Sequence, residues 1–117
     1  MARGLVRLRP RGIRCAPGEP HHMQILAVLR RRVEAFSGEE FGALLDAEAE
    51  AARALYANGV LRAAWSREDV AGACLMFEVE SVEAAHEALG TLPLYAAGML
   101  ESQLIPLRGY RGFGPRG

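Results

Sequence analysis

The sequence predicts an α+β fold in which a four-stranded antiparallel sheet carries two helices on one face. Three observations point there. Four apolar stretches of strand length and two segments of helical period follow one another as strand, helix, strand, strand, helix, strand. Each helical segment is preceded by a serine suited to capping. The strands are apolar on both faces, so the sheet face away from the helices also needs cover, and a second copy of the sheet would supply it.

The elements justify themselves in order. Gln24 to about Arg32 is a first strand, too continuously apolar to have one solvated face. Ser37 followed by Glu40 is a capping box, and a long helix is expected from there to Gly59, with Asn58-Gly59 as its stop. Val60 to Ser66 is the second strand, Arg67-Glu68-Asp69 a turn, and Ala71 to Glu80 the third strand. Ser81 caps the second helix, Glu83 in its first turn suits the helix dipole, and Gly90 and Pro93 mark its end. Met99 to Leu107 is the fourth strand. This is the ferredoxin-like βαββαβ order, and paired back to back it makes a dimeric α+β barrel.

With 117 residues the chain is read as one domain, residues 23–108. Residues 1–22 lack any period and are read as a disordered basic extension, carrying Arg3, Arg7, Arg9, Arg11 and Arg14 against Glu19 alone. The alternatives for this head are a nucleic-acid arm or a targeting peptide. Pro10, Pro17 and Pro20 argue against the helix or apolar core that a targeting peptide wants. Residues 109–117 are an irregular tail. No apolar run reaches the roughly 18–20 residues of a membrane span. Cys15 and Cys74 sit in dissimilar surroundings and form neither a disulfide framework nor a metal site.

Chemistry centres on the first helix. Phe41, Leu44, Leu45, Ala52 and Leu55 make an apolar stripe, and Glu48 falls in the middle of it. A carboxylate aimed at the core is costly unless it is paired or meets water, and partial desolvation raises its basicity towards what a general base needs. The plain alternative is a structural pairing. Arg62, between Val60 and Ala64 on its own strand face, either crosses an interface or anchors an anion. Trp65 falls on the opposite face from Arg62 in a regular strand and is core or pocket wall. His86 lies beside the stripe Val82, Ala85, Leu89 and is a rim residue or a pocket residue. The run Arg30-Arg31-Arg32 alternates across a strand end and reads as a solvated rim. No His, Asp or Glu spacing suggests a metal, and the chain has neither a phosphate-binding glycine loop nor a Gly-x-Ser-x-Gly elbow.

Two segments resemble a known family. Gly59-Val60-Leu61-Arg62-Ala63-Ala64-Trp65 resembles the Gly-x-x-Arg-x-x-Trp strand of the muconolactone delta-isomerases. Ser81-Val82-Glu83-Ala84-Ala85-His86-Glu87-Ala88-Leu89, followed by Leu92-Pro93-Leu94, resembles their Ser-Val-Glu-Ala-x-His-x-x-Leu helix and Leu-Pro-Leu exit, and Glu101 follows where an acidic residue is familiar. With Glu48 these matches cover most of residues 44–107. The resemblance implies a homodimer or larger homo-oligomer, and a cytoplasmic location is expected. It also implies a cofactor-free proton shift in a small unsaturated lactone carboxylate of aromatic catabolism. In it Glu48 is the proton carrier, Arg62 the carboxylate or dienolate partner, and Trp65 and His86 substrate-binding residues. No nucleic acid, membrane, metal or cofactor is expected to take part. The sequence contains no lysine, so any family role of lysine is vacant here. The alternatives are a non-catalytic small-molecule-binding or assembly module of the same barrel type, or a related cofactor-free oxygenase or dehydratase.

Overall fold

The computed structural model describes residues 22–113. All but the last residue of the head read as disordered lies outside them, as does the end of the tail. Within them the order is β1 (Met23–Arg31), α1 (Gly38–Gly42), α2 (Leu45–Ala57), β2 (Leu61–Ser66), β3 (Gly72–Val79), α3 (Val82–Gly90), α4 (Pro93–Ala96) and β4 (Leu100–Leu107). The strands form one sheet in the order β2-β3-β1-β4, each neighbouring pair antiparallel. This is the ferredoxin-like arrangement, with the helices on one face. A single 3-10 turn, Arg111–Phe113, follows β4.

Alternation along the strands decides which side chains meet the helices. Ile25, Ala27 and Leu29 of β1, Leu61 of β2 and Leu75, Phe77 and Val79 of β3 are all buried. They meet Leu55 of α2 and Ala85, Ala88 and Leu89 of α3 in the main core. Full burial of Phe77, Ile25, Leu89 and Leu92 contributes roughly 1.5–3 kcal/mol per side chain. The opposite face carries Leu26, Val28, Cys74, Met76 and Ile105, each half-buried in the single chain.

The helix starts follow from their caps. Ser37 accepts from Glu40 N at 3.1 Å while Glu40 accepts from Ser37 N at 2.7 Å, the reciprocal pair of a capping box. Ser81 accepts from Ala84 N at 3.0 Å. Gly59 ends α2 at φ 79°, a left-handed conformation that suits glycine.

Two segments differ from the sequence reading. The long first helix is broken at Ala43-Leu44, where Gly42 has little helical preference and Phe41 packs elsewhere from Leu55. Phe41 joins Leu94 and Met99 in a small second cluster, while Leu55 belongs to the main core. The second helix is followed by a separate short one, α4, with Pro93 in its first turn.

β2 is also irregular. Leu61 lies opposite Phe77 and Ala63 opposite Met76, so one extra residue, Arg62, is accommodated in a bulge. From there Ala63 and Trp65 pair with Met76 and Cys74, on the open face.

Candidate active site

Glu48 is held in the first turn of α2, between exposed neighbours and the helix layer. Its Oε1 accepts a hydrogen bond from Leu94 N at 2.9 Å. That donor needs a partner. The residue before α4, Leu92, has no capping side chain, and Pro93 has no N–H. Glu48 therefore caps a helix 46 residues away in sequence. Burial pushes its carboxyl above the ordinary glutamate range, against the opposing pull of the Leu94 N–H and the Arg31 charge. A carboxylate of raised basicity, fixed by one oxygen with the other uncommitted among the described contacts, is suited to accept a proton from carbon.

Arg31 is the cation that acts on it. Alternation after Ile25, Ala27 and Leu29 turns Arg31 to the helix side, and it is half-buried with its guanidinium carbon 5.3 Å from the centre of the Phe41 ring. It opens on a cleft of about 350 Å³ lined also by Val33, Phe36, Phe41, Leu45 and Ala71. Glu48 follows the cleft residue Leu45 by one helical turn.

The other arginines of the run do different work. Arg30 points to the open face and binds Glu101 at 2.9 Å and Glu34 at 3.1 Å. Arg32 donates to Gly98 O at 2.8 Å and lies over Phe36. The solvated-rim reading of the run is therefore too uniform. Arg31 escaped notice because the sequence shows the alternation of the run but not that Phe41 and the cleft lie on the side to which Arg31 turns.

The remaining sequence-predicted residues do not converge on Glu48 within the chain. The bulge in β2 places Arg62 and Trp65 on one face and not on opposite faces as a regular strand requires. Arg62 reaches Glu78 at 3.5 Å, and Trp65 stands 54% exposed beside Cys74. Both belong to the open face, across the sheet from the helix layer that holds Glu48. His86 is exposed, flanked in α3 by the buried Ala85 and the exposed Glu87. Among the described residues no group of three or more His, Cys, Asp or Glu is placed to hold a metal ion. None of the described helices is long and apolar enough to cross a membrane.

These features define a small α+β sheet protein with a carboxylate and a guanidinium brought together beside an apolar cleft. The family model for muconolactone delta-isomerase matches residues 16–111, and the chain belongs to that family. A comparison with curated proteins finds no match.

Proposed function

We propose that the protein is a cofactor-free isomerase that shifts a proton within a small unsaturated lactone carboxylate, as in aromatic catabolism. Glu48 carries the proposal: a half-buried carboxylate of raised basicity, oriented by the Leu94 N–H, in a chain of this family. In the reaction its carboxylate takes the proton from the saturated ring carbon at the far end of the lactone's conjugated C=C–C=O system. The electron pair left behind delocalises as a dienolate, and the same proton returns at the carbon next to the lactone carbonyl. The double bond moves, no atom is lost, and the carboxylate is regenerated.

Arg62 and Trp65 enter this reading through a second copy of the chain. The apolar open face, with Leu26, Val28, Met76 and Ile105 at its centre, favours cover by an identical sheet, which would surround both residues. Arg62 would then meet the dienolate from across the interface, and His86 would serve only if the partner folds over α3.

One observation favours a second reading. Because Glu48 caps α4, its position has a structural reason independent of turnover, as expected of a binding module of the same barrel type. The test is muconolactone added to the protein and to its Glu48→Gln variant, with the ultraviolet change of the isomerisation followed. Turnover by the unaltered chain alone supports the isomerase. Equal rates in both exclude Glu48 as the proton carrier, and silence in both leaves the binding module.

A further inference from the structure

Arg31 differs from the other arginines that lie between the start of β1 and the end of β4. Arg30, Arg32, Arg53, Arg62 and Arg67 each engage a carboxylate. From β1 through β4, Arg31 alone among the arginines makes neither an ion pair nor a side-chain hydrogen bond among the described residues, a lack shared beyond β4 by Arg108 and Arg111. It is half-buried, its guanidinium rests on the Phe41 ring, and it lines the cleft. A half-buried guanidinium with five unspent N–H donors is expensive to keep unless an anion visits it. Glu48, whose carboxyl its charge draws down, is committed through one oxygen to Leu94 and forms no hydrogen bond to Arg31 among the described contacts.

The cleft around it is suited to a small, flat, largely apolar molecule. Phe36 and Phe41 stand edge to face at 6.2 Å, and Leu45 and Val33 form an exposed apolar lip. Its volume of about 350 Å³ lies at the lower end of the roughly 300–1,000 Å³ typical of small-molecule sites.

We infer that Arg31 is the carboxylate anchor of the ligand, gripping a small unsaturated monocarboxylate in this cleft with its ring or chain against Phe36, Phe41 and Leu45. The inference rests on the proposed isomerase reading for the identity of the substrate, though not for the presence of the site. It moves the carboxylate-binding role from Arg62, which is tied to Glu78 on the far side of the sheet, to a residue on the same side as Glu48.

The test uses the full chain with two probes of one shape, 2-furoate and its uncharged twin 2-furamide, in calorimetric and ligand-observed NMR titrations. Arg31→Met keeps the stem over Phe41 and removes the charge, while Arg31→Lys keeps the charge and loses the planar fork. The unaltered protein is expected to prefer furoate by about tenfold or more. Arg31→Met should abolish the preference, Arg31→Lys should retain part of it, and furoate should shift the Phe36 and Phe41 ring resonances of the unaltered protein. The ring shifts need no variant, so they decide the matter even if Arg31→Met fails to fold. Absence of furoate binding, equal binding of both probes, unmoved ring resonances, or a preference that survives Arg31→Met would overturn the inference. So would a preference lost in Arg62→Gln and kept in Arg31→Met. Failure of muconolactone turnover with the Arg31-dependent preference intact would sink the isomerase reading alone.

Discussion

Replacing Glu48 by Gln removes a titratable proton yet leaves an oxygen where Leu94 needs an acceptor, whereas Glu48→Ala removes both. The pair therefore separates the chemistry of this side chain from its capping. In Glu48→Ala the Leu94 N–H, the first donor of α4 with no local cap, loses its 2.9 Å partner. An abandoned half-buried donor costs about 1–3 kcal/mol. Relief of the desolvated carboxylate offsets part of this, leaving a net loss of roughly 1–2 kcal/mol. For a domain of this size each kcal/mol lowers Tm by about 4–8 °C, so a fall of roughly 4–15 °C is expected. Glu48→Gln should stay within roughly 4 °C of the unaltered protein, because the cap survives. Its turnover of muconolactone should fall about 10²–10⁴-fold. The assay is a thermal melt beside an initial-rate measurement on the same preparations. If Glu48→Gln melts as early as Glu48→Ala, the capping argument is wrong; if it keeps its kcat, the proton-carrier argument is wrong.

Other consequences follow from the same geometry. The carboxyl of Glu48 is raised in the folded chain, so the native state holds its proton to higher pH than the unfolded state does. Its contribution to stability is thus most favourable below the unfolded pKa and declines as pH rises to the folded one. Urea melts of the unaltered protein across that window should show this decline, and those of Glu48→Gln should lack it. Arg31→Met removes a charge that draws the same carboxyl down, so the acid limb of its pH–rate profile should move to higher pH; a limb that stays or moves lower contradicts the coupling. Gly72→Ala would drive a Cβ into the Leu29 carbonyl across the β1–β3 pairing, with an expected loss of about 1–3 kcal/mol in a urea melt. Sedimentation at micromolar concentration should give the mass of a dimer or larger, and Val28→Arg on the open face should lower it to a monomer; a monomer before substitution rejects the paired-sheet proposal.

What could be read from the sequence was what neighbours in sequence decide. Ser37 with Glu40, Ser81, and Asn58-Gly59 act within a turn of themselves, and all serve as their types suggest. The strand order followed from period and length, because alternation in β1 and β3 is regular. The features that escaped depend on distant partners. Nothing local marks the bulge at Arg62; it exists in the register of β2 against β3, and a one-residue slip is enough to change the face of Trp65. Pro93 read as the end of a helix when it also opens one, and α4 has no cap of its own to announce it.

The missing cap and the misplaced carboxylate turn out to be one fact. Glu48 looked anomalous as an acid in an apolar stripe, and α4 looked absent for want of a capping side chain; each supplies what the other lacks. That bond does not decide between structure and catalysis, because a general base must itself be held still. Arg31 is what tips the balance towards a ligand site. A cap requires only the carboxylate, but a half-buried guanidinium without an ion-pair partner, beside an open apolar cleft whose Leu45 lies one turn from that carboxylate, has no structural task among the described contacts beyond resting on Phe41. A chain selected for stability alone would do better with an apolar side chain there. Retention of the charge is accounted for if an anion binds in the cleft.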